Sequence, residues 1–206
     1  MKQSTDLENR HPLAGSVVVI VGGTSGMGRG AAERLAAHGA QVLAVSRRAV
    51  SGIVQLGQGS IETAALDMAD EAAVRGFFDG ITTLDHLLVT ATPPMPRGSF
   101  LESSFADAES ALRGKVLGSW ACARHAAAKI PPGGSITFVT GGMAVRPVHG
   151  AVMISAAFAA VEALARGLAL ELGPIRVNAV RPGVVDTEMW AAVLEITGGE
   201  HLVSLD

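Results

Sequence analysis

The sequence of 206 residues lacks tyrosine altogether and holds a single cysteine, and only 4% of it is aromatic. With Cys122 alone no internal disulfide can form, and its alanine-rich neighbourhood predicts a partly buried, free structural thiol in a reducing cytoplasm. No block of like charges accompanies the formal net charge of -3, so neither nucleic acid nor a membrane surface is an expected partner. The six histidines lack the spacing of metal ligands, and no metal site is predicted.

Long apolar runs are also missing. The longest, "SVVVIV", is too short to span a bilayer, and residues 1–15 form a polar arm without the features of a signal or transit peptide. Since 49% of the residues are hydrophobic and 17% are charged, we expect a single globular domain over residues 1–206.

Short β-branched runs alternate with alanine-rich helical stretches along the chain. This alternation predicts an α/β fold with a doubly wound parallel sheet, the Rossmann fold, covered by helices on both faces. Residues 47–60 leave room only for a stub or an irregular loop, and residues 191–202 are predicted as a last strand and a Gly-Gly turn. The helix predicted over 153–172 has one apolar face, formed by Ile154, Phe158, Val161, Ala165, Leu168 and Leu172.

A glycine pattern follows the first predicted strand. Gly22, Gly26 and Gly28 have the spacing G-x-x-x-G-x-G at the point where a helix begins. Glycine allows positive φ and close approach of the backbone, and the N-terminus of a helix offers N–H groups and partial positive charge. The loop therefore predicts a site for the pyrophosphate of a dinucleotide.

The end of the second predicted strand bears on the choice between nicotinamide cofactors. Ser46 stands where an acidic side chain would hold the ribose 2′-hydroxyl of NAD, and Arg47 and Arg48 follow it. An arginine fork suits a 2′-phosphate, which favours NADP(H) over NAD(H). The alternative is that the two arginines are simply solvated at a strand end.

Taken together, these motifs resemble the short-chain dehydrogenase/reductase family. Its glycine motif is matched as above, its aspartate after the third strand by Asp67, and its "PG" motif with a following threonine by Pro182, Gly183 and Thr187. "AAVEALARGLALELGPIRVNAVRPG" and "VLEITGG" are also similar to the family's later segments. The resemblance implies a cofactor site made of Gly22, Thr24, Ser25, Gly26, Met27, Gly28, Ser46, Arg47, Arg48, Asp67, Met68, Ala91, Pro182, Gly183 and Thr187.

The resemblance also implies that the family's four catalytic side chains have changed. Ile154 stands at the tyrosine position, Phe158 at the lysine position, Gly141 at the serine position and Lys115 at the asparagine position, and the family's "NNAG" reads "VTAT" over 89–92. In the family these groups supply a proton to the alkoxide left by hydride transfer, which is worth about 10²–10⁴-fold in rate. The chain is thus expected to be a divergent member.

Two residues are candidate replacements in proton transfer. Lys115 could stabilise or protonate an oxyanion if apolar neighbours lower its pKa, and the alternative is a lysine that extends along its helix to solvent. His149, in the loop before the predicted helix, could act as an acid or base near neutral pH, and the alternative is an ordinary surface histidine. Bound water is a third proton source.

Three functions remain open at this stage. The first is an NADP(H)-binding oxidoreductase acting on a small carbonyl or alcohol with non-standard proton transfer. The second is a pseudoenzyme that serves as a nucleotide-binding or scaffold subunit, and the third is a non-redox isomerase or cyclase on the same fold. The helix over 155–172 and the segment ending "WACARHAAAKIP" predict a homodimer or homotetramer.

Overall fold

In the computed structural model, the described residues are 13–95, 97–185, 187 and 202–203. Within them, seven strands form one sheet in the order β3-β4-β2-β1-β5-β6-β7, and all pairs are parallel except β3 with β4. A short parallel pair, β8 with β9, is separate. The strands are β1 (Val17–Val21), β2 (Gln41–Ser46), β3 (Gly52–Leu56), β4 (Gly59–Ala65), β5 (His86–Val89), β6 (Ser135–Val139), β7 (Arg176–Val180), β8 (Val184–Val185) and β9 (Leu202–Val203).

Helices cover both faces of this sheet. The apolar run of β1 is buried throughout its centre because alternate side chains enter two separate cores. Val19 and Val21 join a cluster with α2, α4 and α5, whereas Val18 and Ile20 pack with α1. The predicted doubly wound Rossmann fold is confirmed. The helices are α1 (Gly26–Ala37), α2 (Glu71–Asp79), α3 (Phe105–Ala111), α4 (Gly118–Ala126) and α5 (Val152–Glu171), with a π-helical turn at Leu112–Leu117 between α3 and α4.

The connection between β2 and β4 differs from its prediction. Instead of a stub or an irregular loop, residues 52–65 form an antiparallel hairpin, in which Leu56 pairs with Gly59 across the two-residue turn Gly57–Gln58. Gly57 adopts φ +63, as a tight hairpin turn requires. The segment is too short for a crossover helix, but its β-branched residues and glycines are sufficient for an added edge strand.

The helix α5 has the predicted apolar face. Ile154, Phe158, Val161 and Ala165 are buried, and Leu168 and the residue after the helix, Leu172, are partly buried. Among the described residues, α5 is the one helix long and apolar enough to cross a bilayer. It packs against β6, β7 and the π-helical turn, as a core helix does. The strand predicted within 191–202 lies outside the described residues except for Leu202.

A glycine pair in the hairpin gives a test of how the hairpin packs against α1. A Cβ at Gly59 would collide with the carbonyl oxygen of Ala36 and lie 2.5 Å from that of Ala40. We expect Gly59→Ala to lower the free energy of unfolding in urea by about 3 kcal/mol because backbone atoms cannot yield. At Gly57 nothing lies within 4 Å, so Gly57→Ala should lose only about 1 kcal/mol through its positive φ. Equal losses would contradict this packing.

Candidate cofactor cleft and catalytic corner

A cleft of about 570 Å³ opens at the carboxyl ends of the parallel strands, where ligands of doubly wound folds bind. Every residue predicted for the cofactor site lines it except Pro182 and Gly183. These two follow β7, and the carbonyl oxygen of Pro182 accepts a hydrogen bond of 3.2 Å from the N–H of Gly142. The lining consists of Val21, Gly22, Thr24, Ser25, Gly26, Met27, Gly28, Ser46, Arg47, Arg48, Leu66, Asp67, Met68, Thr90, Ala91, Thr92, Pro93 and Thr187.

The glycine loop forms the floor of the cleft. Gly22 and Gly26 adopt φ +92 and +47, which are unfavourable for residues with a Cβ. A Cβ at Gly28 would collide with the carbonyl oxygen of Gly22 and lie 2.6 Å from Thr90 Oγ1. The helix α1 begins here with an N-cap, Ser25, whose side chain accepts no capping hydrogen bond, and no acidic residue lies in its first turn. The loop thus keeps space and positive potential for an anion.

The end of β2 lies beside this loop. Thr24 Oγ1 donates a hydrogen bond of 2.7 Å to Ser46 Oγ, which joins the glycine loop to the strand end. Arg47 and Arg48 are exposed and line the same cleft. Asp67 follows the carboxyl end of β4, and its Oδ1 accepts a hydrogen bond of 3.0 Å from the N–H of Ala69. The end of β2 therefore presents two guanidinium groups and a hydroxyl, and it lacks the carboxylate that would repel a phosphate.

Apolar side chains fill the corner around residues 141, 154 and 158, to which the resemblance assigns catalysis. Ile154 and Phe158 are only 4% and 6% exposed, and they form a small core with Ala151. A Cβ at Gly141 would lie 2.8 Å from the Phe158 ring, so the ring occupies the space that a larger residue at 141 would need. Within the described residues, neither Ile154 nor Phe158 lines the cleft. Partly buried neighbours complete the cluster: Met95, Met143 and Ala144.

Lys115 is completely buried, so the interpretation of a lysine that reaches solvent is wrong. It lies in the π-helical turn, and its Nζ donates to the carbonyl oxygens of Ala91 at 2.7 Å and Val139 at 2.8 Å. The Phe158 ring centroid is 5.8 Å from Nζ. Burial lowers the pKa of Lys115 to about 7, which was the condition for its role at an oxyanion, but Lys115 does not line the cleft. The ammonium thus lies behind the cleft wall.

His149 lies on an exposed loop and lines neither the cleft nor the apolar cluster. Cys122 is a fully buried free thiol in α4, and burial raises its pKa to about 12. This agrees with the predicted structural role. No group of three or more potential metal ligands occurs in the described part of the chain.

An ion pair with a buried carboxylate and an exposed guanidinium was not predicted from the sequence. Glu162 of α5 accepts hydrogen bonds from Arg181 Nε at 2.9 Å and from Thr140 Oγ1 at 3.0 Å. The bond from Arg181 is the main reason why the pKa of Glu162 is lowered. The pair ties α5 to the chain after β6 and to the segment that leads toward Thr187. The sequence signal available for this pair was Glu162 itself, a glutamate next to the apolar face of the predicted helix.

Comparisons with known proteins agree with this architecture. Residues 21–202 match the family model described as enoyl-(acyl carrier protein) reductase. Human L-xylulose reductase is 35% identical, with 87% of this chain and 76% of the relative covered. A short-chain dehydrogenase/reductase of Acremonium sp is 31% identical over 92% of this chain and 78% of its own length. A cyclic-di-GMP-binding biofilm dispersal mediator of Escherichia coli is also 31% identical, over 85% and 76%.

Solved structures give the same result. A small-chain dehydrogenase in complex with NADPH superposes with a TM-score of 0.74 and 31% identity, covering 89% of this chain and 78% of that one. A short-chain type dehydrogenase/reductase from Mycobacterium ulcerans reaches a TM-score of 0.82 at 25% identity, covering 89% and 72%. The fold, the position of the cleft and these relatives together show that the chain belongs to the short-chain dehydrogenase/reductase family.

Proposed function

We propose that this chain is an NADP(H)-binding oxidoreductase that acts on a small carbonyl or alcohol. The observation that supports this proposal most is the single cleft that combines a glycine loop at a helix N-terminus with Arg47, Arg48 and Asp67. The crowded contact at Gly28 leaves no room for a side chain, as a loop that must approach a pyrophosphate requires. A nicotinamide cofactor supplies or accepts a hydride when it is bound. The relative in complex with NADPH supports this choice of ligand.

The preference for NADP(H) over NAD(H) follows from charge. Ser46 leaves the end of β2 without a carboxylate, and the guanidinium groups of Arg47 and Arg48 are exposed at the same edge. A guanidinium can bind a 2′-phosphate with two parallel hydrogen bonds. NADH lacks this phosphate and would gain nothing from the pair.

We further propose that the chain has lost the family's proton-transfer groups and depends on another source of protons. Ile154, Phe158 and Gly141 offer no acid, Lys115 lies behind the wall, and His149 is on a loop outside the cleft lining. Bound water is then the remaining candidate for the proton donor. Proton transfer from unpositioned water forgoes the gain of a positioned acid, so turnover should be slow.

The second candidate is a pseudoenzyme that binds nucleotide without turnover. The filled corner favours it, because Phe158 and Gly141 pack against each other in the space assigned to catalysis. The two candidates share the cofactor site and differ only in chemistry.

We also propose a homodimer or homotetramer. Leu112, Leu117 and Trp120 follow one another along the π-helical turn and α4, and each is at least 40% exposed. Exposed apolar side chains in such a row are typical of surfaces that associate.

Substitution at Gly28 tests the nucleotide site. We expect Gly28→Ala to weaken NADPH binding, measured by calorimetry, by at least about tenfold, because the added Cβ would displace the Gly22 carbonyl and Thr90. The matched control is Gly30→Ala in the same helix, where nothing lies within 4 Å of an added Cβ. It should bind NADPH normally and be more stable by about 1 kcal/mol. Unchanged binding in Gly28→Ala would refute this placement of the nucleotide.

Removal of both arginines tests the cofactor preference. We expect the double variant Arg47→Ala/Arg48→Ala to bind NADPH about tenfold or more weakly and to bind NADH as the wild type does, since only the 2′-phosphate contacts are lost. Arg34→Ala, near the C-terminal end of α1, is the control for a general loss of positive charge. If NADH binding fell equally, the arginines would not be reading the phosphate.

Turnover distinguishes the two candidate functions. With a panel of small aldehydes, ketones and alcohols, the oxidoreductase should show slow NADPH- or NADP⁺-dependent absorbance change at 340 nm that Gly28→Ala abolishes and Gly30→Ala retains. The pseudoenzyme would bind NADPH and show no turnover with any member of the panel. Turnover that persists without nucleotide would contradict both.

A further inference from the structure

Lys115 contacts the wall of the cleft from behind. Its ammonium has three N–H donors, and three oxygens lie within reach: Ala91 O at 2.7 Å, Val139 O at 2.8 Å and Thr92 Oγ1 at 3.4 Å. Ala91 and Thr92 line the cleft, whereas Val139 ends β6. The buried charge is therefore satisfied entirely by groups at or next to the proposed nucleotide site.

The position of these oxygens explains why a cation is useful there. The β5–β6 pairing ends at Val89 and Phe138, so the carbonyls of Ala91 and Val139 lie beyond the last paired residues. The N–H of Ala91 donates to Val21 O at 2.9 Å. With Lys115 on its carbonyl, Ala91 is tied to β1 on one side and to β6 on the other. Without Lys115, the part-buried carbonyl oxygen of Ala91 and the buried one of Val139 would lose a charged donor.

A second contact joins the same two segments. A Cβ at Gly114 would lie 2.6 Å from Pro93 Cγ, so the π-helical turn packs tightly against the next residue of the wall. The extra residue of a π-helical turn changes the direction of the side chains that follow it, and such turns occur often at functional sites. Here the turn places Gly114 against Pro93 and Lys115 against Ala91 and Thr92.

We propose that Lys115 is a positioning residue, whose ammonium fixes the cleft wall formed by Ala91, Thr92 and Pro93 for the nucleotide. This inference rests on the proposed function for the identity of the ligand, NADP(H), but not for the contacts themselves. Phe158 covers the ammonium on its far side, so the two replaced residues act as one unit that stabilises the site without presenting an acid to it.

The titration of Lys115 gives this role a distinctive signature. The pKa of about 7 lies well below the value of 10.5 for an exposed lysine because of burial. Between these values Lys115 binds more protons in the unfolded chain than in the folded one, so the contribution of this group to the free energy of unfolding rises with pH from about 7 to about 10.5. The wall, however, loses one donor as the ammonium becomes an amine. Stability and nucleotide affinity should therefore change in opposite directions.

The neighbouring groups do not titrate in the same range. The pKa of Cys122 in α4 is raised to about 12, so its thiol stays neutral in the folded chain, and its ionisation in the unfolded chain lowers the free energy of unfolding only above about pH 9, the upper end of the experiment. Glu162 of α5 is paired with Arg181, and its lowered pKa keeps it ionised. A phosphate monoester with a pKa near 6, as on NADP⁺, is also fully charged above pH 7.

The experiment compares wild type, Lys115→Met and Lys129→Met. Lys129 is the matched control, because its Nζ also donates to a backbone carbonyl, that of Ile81 at 2.7 Å, away from the cleft. NADP⁺ affinity is measured by calorimetry from pH 7 to pH 9, and amide hydrogen exchange over residues 88–95 is measured at pH 7 without nucleotide. Unfolding in urea over the same pH range reports the linkage.

We expect Lys115→Met to weaken NADP⁺ binding about tenfold at pH 7 and to speed amide exchange at residues 90–92. Wild-type affinity should fall toward that of the variant as the pH rises to 9, while its stability rises. In Lys115→Met, neither the NADP⁺ affinity nor the free energy of unfolding should show this pH dependence, because the titrating group is absent. Lys129→Met should behave as wild type.

Each other result has a definite meaning. Equal affinity, pH profile and exchange in wild type and Lys115→Met would overturn the proposal. If wild type bound no NADP⁺ while exchange at residues 90–92 still increased in the variant, the proposed function would fail and the positioning of the wall would stand. If Lys115→Met did not fold, the wild-type series would decide, and an affinity that is constant from pH 7 to pH 9 would overturn the proposal.

Discussion

The cleft depends on the close contact between the turn after β1 and the first turn of α1. Gly28 lies directly on the carbonyl of Gly22, and Thr90 packs against both. This contact brings the N-terminus of α1 to the carboxyl edge of the sheet, where its N–H groups can meet an anion. Every other part of the proposed site, from the arginines after β2 to the wall after β5, is arranged around that point.

Behind the wall of the cleft, Phe158, Gly141 and Lys115 form a packed unit. Phe158 occupies the space beside Gly141, and Lys115 lies under the ring with its charge directed to carbonyl oxygens. The three fit together, since a side chain at 141 would meet the ring and an unpaired ammonium would be costly to bury. The corner is thus apolar around one satisfied cation.

Much of the architecture could be predicted because it is local. The glycine spacing, the arginines after β2 and the period of α5 follow from residues close in sequence. The hairpin at 52–65 was not predicted, because a segment too short for a crossover helix was expected to be a stub or an irregular loop, although Gly57 and the flanking β-branched residues are typical of a strand pair. The contacts of Lys115 and the pair of Glu162 with Arg181 could not be derived, since they depend on which strand ends meet and on the π-helical turn. Sequence spacing does not report burial of that kind.

The most direct measurement is a calorimetric titration of the wild-type chain with NADPH and with NADH. The account predicts one NADPH bound per chain and binding of NADH that is at least about tenfold weaker. Absence of binding by both nucleotides at millimolar concentration would contradict it.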